Sequence, residues 1–480
     1  MRFIGNIEKD AQIRAVASGA LPSGDAVIVN SDGTVSVISE TSVSQSLGSP
    51  TTFESAETTD TSITYHAAAQ KVVIAYRDAG NSNYGTAVVG TVSGTSISFG
   101  TRVVFESANT LDISATYHAV EQKIVIAYRD GGNSQRGTAI VGTVSGTSIS
   151  FGSAVVFNSS GTYDISATYD STNGKVVIAY RDDGNSGYGT AIVGTVSGTS
   201  ISFGSEVVFQ SSYAASESAT YDSINGKVVI AYQNGGGSNY GTAIVGTVSG
   251  TSISFGSAAV FESSFTDQIF ATYDSTNGKV VIAYRAGSNG KAVVGTVSGT
   301  SISFGTSAVF KTANAFFVAA SYDSNAQKVV IAYQNGGDSN RGGISVGTVS
   351  GTSVSFTSST QFAGGITGSV SATYDANAEK IVVSYADDSS GGFGKSVVFQ
   401  PAYTTTNLTA ENFIGFAAHT YADTQSALIN STCTVDRNQS GLTAGQTYYV
   451  QTDGTLSTTP DDPSVEAGTA ISSTSIIVKG

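Results

Sequence analysis

The chain has 480 residues, 40% of them hydrophobic and 12% charged, with a net charge of −14 and only 22 Lys and Arg. Cations so few and so scattered exclude a phosphate-binding surface, and the apolar runs are strand-sized, far short of the ~20 residues a spanning helix takes. Neither nucleic acid nor membrane is therefore an expected partner, and the single cysteine, Cys433, excludes an intrachain disulfide framework.

Residues 1–40 open on Met-Arg-Phe-Ile-Gly-Asn-Ile-Glu-Lys-Asp, which lacks the apolar core of a secretory leader, so synthesis in a reducing cytoplasm is expected. Farther on, Leu21-Pro22-Ser23-Gly24 precedes a strand-like run, and Asp32-Gly33 reads as the turn of a hairpin.

From 41 to 402 the sequence repeats. A strand-ending tyrosine recurs at Tyr65, Tyr117, Tyr169, Tyr221, Tyr273, Tyr322 and Tyr374, in steps of 52, 52, 52, 52, 49 and 52 residues. The short step falls in a turn, where Arg285-Ala286-Gly287-Ser288 replaces the longer Arg181-Asp182-Asp183-Gly184-Asn185. Each unit reads as four strands. In the third they are a (165–169), b (175–181), c (189–196) and d (200–209), with turns at Asn173-Gly174 and Ser197-Gly198. In Val176-Val177-Ile178-Ala179-Tyr180 both alternate faces are apolar, so both sides of the sheet must be covered. Radially packed blades do this without helices, and four strands per ~50 residues is a blade. Strands a, b and c occur seven times. The last set lacks its d, while 41–55 matches a strand d with no a, b or c before it. The expected fold is all-β, a seven-bladed β-propeller of four-stranded blades, closed by the N-terminal strand.

In 403–480, Leu442-Thr443-Ala444-Gly445 and Asp453-Gly454 repeat the pattern of the N-terminal end. The two ends are expected to pack as one small β module at the base of the propeller, with no cofactor. The segment Gly24-Asp25-Ala26-Val27-Ile28-Val29-Asn30-Ser31-Asp32-Gly33-Thr34-Val35-Ser36-Val37, the run Asn412-Phe413-Ile414-Gly415-Phe416, and Gly441 through Leu456 resemble flanking segments of virion structural proteins of marine and cyanobacterial phages, often of tail-fibre type. The resemblance implies a non-enzymatic, homo-oligomeric particle protein, made in the host cytoplasm and residing in the virion. Its implied partners are other virion proteins and a glycan or protein of the host surface. A propeller lectin outside any virus is the alternative.

Catalytic signals are weak. Arg77, Arg129, Arg181 and Arg285 follow strand b but are copies of one repeat position, filled elsewhere by Gln233, Gln334 and Ala386, so a salt-bridged or solvated rim explains them. No paired carboxylates and no tyrosine–glutamate nucleophile stand out as unique to one repeat. The Asp-rich turns lack the spacing of a calcium loop. His66 and His118 stand where other repeats have Asp170, Asp222 and Asp274, and read as turn residues; Cys433 reads as a small buried or half-buried residue. What varies between repeats is the connection from strand d to the next strand a. It carries Tyr163, Tyr213, Phe265, Phe316 and Phe317, on the rim shared with Tyr188. Divergent segments on a rigid scaffold are where binding resides, and these aromatics are the candidate ligand-binding residues.

Overall fold

The structure is a computed structural model that describes residues 12–479; the leader expectation for 1–11 lies outside them. The chain divides into two units, Gln45–Pro401 and a second made of both ends, 12–44 with 402–479.

In the third repeat the elements are Val155–Asp170, Lys175–Asp182, Tyr188–Ser197 and Ser200–Phe203, all antiparallel. The second half of the long strand pairs with strand b (Ala167↔Ile178), and b pairs with c (Ala179↔Ala191). Strand c then has two partners. Its far half meets the short strand (Val196↔Ile201), and its near half meets the start of the next long strand, Val207–Asp222 (Thr190↔Val208).

Two expectations are corrected here. The d-to-a connections lie inside a strand that leaves one sheet and enters the next, bent by bulges such as those between Val208 and Tyr213 and between Ala215 and Ser218; only between Ala308–Lys311 and Ala315–Asp323 is the strand interrupted, at 312–314. Strand d, in turn, splits after Phe203. A Cβ on Gly204 would lie 1.8 Å from the Thr251 carbonyl oxygen of the next repeat, so the chain passes that turn only as glycine.

Strand b carries the core. Val176, Ile178 and Tyr180 pack with Val125 and Ala127 of the preceding repeat, while Val177 and Ala179 pack with Val228, Ile230 and Tyr232 of the following one. Tyr180 is fully buried and lies 5.2 Å from the ring of Phe157, an arrangement repeated at Tyr128 with Phe105 and Tyr232 with Phe209. Inner strands are also bridged by serines. Ser62, Ser114, Ser166 and Ser218 accept from the backbone N–H of Ala115, Ala167, Ala219 and Ala271, satisfying donors on strand edges that have no ladder partner.

The sheet of the last repeat is completed by the front of the chain. Phe399 and Gln400 pair with Leu47 and Ser46, and Ser396 and Lys395 pair with Thr51 and Thr52. Ser371 accepts from the Ile63 N–H across the same seam. Residues 41–43 take no part in that ladder; they pair with 403–405 in the terminal unit. Pro401 has no N–H to carry a ladder onward, and the propeller unit ends there.

The terminal unit holds two five-stranded sheets of one topology. The first runs Gln12–Val16, Ser426–Asn430, Phe413–Ala417, Ala26–Val29, Val35–Val37; the second runs Val435–Asp436, Ser475–Val478, Val465–Ser472, Thr447–Val450, Leu456–Ser457. Their hairpins match in detail. Thr34 N and Oγ1 donate to Asp32 Oδ1 at 3.0 and 2.6 Å, and Thr455 does the same to Asp453 at 2.9 and 2.6 Å. Gly415 and Gly468 occupy matching sites where a Cβ would strike the carbonyl of Asn430 or Ile477. Ala26, Ile28 and Phe416 of one sheet share a core with Tyr448, Val450 and Ile476 of the other. The module is thus an internal duplication, and the propeller is inserted in chain order after the third strand of its first copy. Together the units make an all-β chain whose large unit is a β-propeller. Among the described residues no helix is long and apolar enough to cross a membrane.

Candidate functional site

Each long strand bends into its inner half through one residue in the left-handed region: Asp60, Asp112, Asp164, Ser216, Gln268, Phe317 and Ser369, with φ between 45° and 54°. The backbone at this position is therefore the same in every repeat, while the side chain is acidic in three, polar in three and aromatic in one. Asp tolerates this conformation well; Phe317 does so at the cost of strain.

These residues and the ones that follow them line a cavity of about 410 Å³. Its wall is chemically two-sided. Asp60, Asp112 and Asp164 come from three successive repeats, and each faces an arginine of strand b. Arg129 Nε lies 2.6 Å from Asp112 Oδ2, Arg181 Nη1 lies 2.7 Å from Asp164 Oδ2, and Arg77 Nε lies 3.6 Å from Asp60. Arg285 pairs with Asp267 at 2.6 Å. Burial pushes the Asp112 carboxyl up to about 6 against the pull of Arg129, with Asp164 and Asp60 adding to it, and burial likewise raises Asp164. On the other side, Phe270 and Phe317 contribute aromatic surface to the cavity wall.

The candidate aromatics divide into groups. Phe317 alone of the six lines the cavity; its N–H donates to Gln268 Oε1 at 2.6 Å. Tyr163 is stacked between Arg129 and Arg181, at 4.3 and 4.6 Å from its ring centre, and Phe316 lies 4.6 Å from Arg285. Tyr213 is 47% exposed and stands 5.0 Å from Arg181, whose Nη1 donates to its hydroxyl at 2.8 Å. Phe265 is 54% exposed. Tyr188 is half-buried and pairs with Tyr213, as Tyr240 pairs with Phe265.

One carboxylate of the cavity is unique to its repeat and was not singled out from the sequence. Glu217 lines the cavity at a position that is Ile113, Ile165 or Ile269 elsewhere, and no other repeat has an acid there. Among the described residues neither of its carboxylate oxygens has a hydrogen-bond partner, and burial lifts its carboxyl well above the usual range. Superposing the repeats on their tyrosines would have exposed this acid in a column that is otherwise Thr61, Ile113, Ile165, Ile269, Val318 and Val370.

The remaining candidates have structural roles. His66 Nδ1 accepts from Ala69 N–H at 3.0 Å, the task that Asp170 Oδ1 performs for Thr172 and Asn173. Asp182 Oδ1 caps its turn through Gly184 N–H. Cys433 is exposed rather than buried, because its left-handed backbone (φ 67°) in a tight turn aims the side chain outward.

No family model matches the chain, and no curated protein matches its sequence. Among solved structures it is similar to a lectin from Burkholderia pseudomallei, with a TM-score of 0.52, 11% identity, and coverage of 78% of this chain and 99% of that one. It is also similar to a β-propeller domain (Swd1) of Myceliophteria thermophila, at 0.47 with 8% identity, covering 72% and 98%. The NanB sialidase of Streptococcus pneumoniae matches at 0.43 with 11% identity, covering 74% and 69%. The lectin likeness agrees with the strand topology in defining the large unit as a β-propeller.

Proposed function

We propose that the protein is a non-enzymatic, seven-bladed binding propeller that engages carbohydrate at its channel mouth. The observation that carries the reading is the ring of left-handed positions, in which one backbone conformation presents a different side chain in each repeat. Scaffold residues such as the buried tyrosines are repeated, so divergence concentrates where a ligand would touch. Half-exposed aromatic rings beside fixed polar groups suit sugars, whose apolar ring faces stack while hydroxyls bond. The arginines are neutralised by aspartates rather than free to grip a substrate carboxylate, which favours binding over catalysis. A lectin shares the fold. The test is a glycan array with the full chain and with a Phe317→Ala variant, which removes an aromatic ring from the cavity wall. Specific binding that the variant loses while its melting temperature is kept supports the reading; release of reducing sugar would replace it with an enzyme.

A second reading concerns placement. The duplicated terminal module contains the segments that resemble phage flanks, and from that resemblance we infer an appendage protein of a phage particle, homo-oligomeric and attached through other virion proteins, with no nucleic-acid or membrane contact. Mass spectrometry of density-purified particles decides it: stoichiometric presence supports the placement, and absence leaves a free lectin.

A further inference from the structure

We propose that the channel mouth takes hold of its sugar through a primary ammonium group, with Glu217 as the counter-ion. The proposal deepens the carbohydrate-binding reading and rests on it. Asp60, Asp112, Asp164 and Glu217 line the cavity, and among the described residues no Lys, Arg or His does. The aspartates are each turned toward an arginine standing behind the wall. Glu217 has no such partner. It is 7% exposed, and neither oxygen accepts a hydrogen bond from any of the described residues.

A buried, unpaired carboxyl is costly, and packing does not require one here, since isoleucine fills the same position in other repeats. Groups of this kind persist where a ligand completes them. An ammonium group supplies three donors and one positive charge, converting the unpaired acid into a charge-assisted contact. Phe270 and Phe317 on the same wall add aromatic faces, which attract cations. A bare metal ion fits poorly: among the described residues no three His, Cys, Asp or Glu side chains gather closely enough to hold one. Ser216 and Gln268, on the same wall, remain for the hydroxyls of a larger body.

Binding would also move a proton. The groups acting on Glu217 are Asp164 and Asp112, which hold its proton on, and Arg181, which opposes them; Tyr232 lies within electrostatic reach in its own repeat. Burial does most to hold the proton on the Glu217 carboxyl, so an ammonium that keeps its own proton favours release of the carboxyl's proton to solvent.

The experiment is titration calorimetry of the full chain near neutral pH, in two buffers of different ionisation enthalpy. The probes are the glucosamine trimer, the N-acetylglucosamine trimer, and 1,5-diaminopentane as an amine without a sugar. The expected result is about tenfold tighter binding of the amino trimer than of the acetylated one, with proton release, both lost in Glu217→Gln. Glu217→Ile, which restores the residue of neighbouring repeats, serves as a second variant should glutamine disturb the fold. Equal or tighter binding of the acetylated trimer overturns the ammonium assignment and leaves the carbohydrate reading standing. Binding of the diamine alone overturns the sugar and with it the proposed function. Binding of none overturns both.

Discussion

Glu217 fills, in the fourth repeat, the core position that Ile165 fills in the third. The isoleucine packs with Val176 and Tyr180, whereas the glutamate brings two unpartnered oxygens into the equivalent space. Replacing Glu217 with isoleucine is expected to raise the melting temperature by about 2–4 °C. The gain should depend on pH. A carboxyl raised in the folded state stays protonated there after the unfolded chain has lost its proton, so wild-type stability falls as pH rises above the ordinary glutamate value. The gap between variant and wild type should therefore widen from about pH 4 to about pH 8. Thermal melts at both ends check it, and a constant gap would mean that the carboxyl is ordinary.

Glycines following the short outer strand are set by the neighbouring repeat. A Cβ on Gly100, Gly152, Gly204, Gly256 or Gly305 would come within about 2.0 Å of a threonine carbonyl in the next Ser-Gly-Thr turn. At the corresponding place in the sixth repeat the residue is Thr357, and the seventh repeat has no such turn, its sheet being completed by the front of the chain. Gly204→Ala is expected to cost about 2–3 kcal/mol, because a backbone carbonyl must move. Thr357→Gly should cost well under 1 kcal/mol beyond backbone entropy. Equal losses in urea melts of the two variants would refute the contact.

The serine bridges between inner strands predict a local effect. Ser166 Oγ accepts from the Ala219 N–H at 2.9 Å. Ser166→Ala leaves that donor unsatisfied at the channel wall and should cost about 1 kcal/mol. Hydrogen exchange gives the sharper readout: the Ala219 amide should lose protection while the Ile230 amide, deep in strand b, keeps it. The fifth and sixth repeats have Phe270 and Ala319 in place of the serine, so bridging through this position is limited to the other seams.

Much of the scaffold was legible because local signals agreed with long-range need. The doubly apolar strand around Val177 announced a sheet covered on both faces, and the mismatched ends announced closure. Less could be read where tertiary geometry overrides composition. Thr162-Tyr163-Asp164 looks like a loop, but a bulge with one left-handed residue keeps it within a strand. Exposure of Cys433 follows from a backbone angle that no residue type fixes. At the site, aromatics drew attention because they vary, yet Tyr163 is occupied by two arginines. Glu217 was hidden in a column of uncharged, β-branched residues and visible only by comparing repeats position by position.

The duplication in the terminal unit leads to a test of modularity. Val43 pairs with Tyr403 in a two-stranded ribbon, so the chain leaves the module and returns to it at directly opposed positions. Opposed residues in an antiparallel pair are only about 5 Å apart, which a two-residue turn can close. The second copy of the module makes the equivalent crossing, from Leu456–Ser457 to Val465–Ser472, through a short segment, 458–464. Joining Val43 to Tyr403 through Asn-Gly and omitting 44–402 is therefore expected to give a folded protein with a cooperative melt. The core of Ala26, Ile28, Phe416, Tyr448, Val450 and Ile476 is retained in full. The released piece, 45–401, carries its own closing pairs at Leu47 and Phe399 and should fold as well. If the joined module were unfolded by circular dichroism, its sheets would depend on the propeller, and insertion into a self-sufficient duplicated module would be the wrong description.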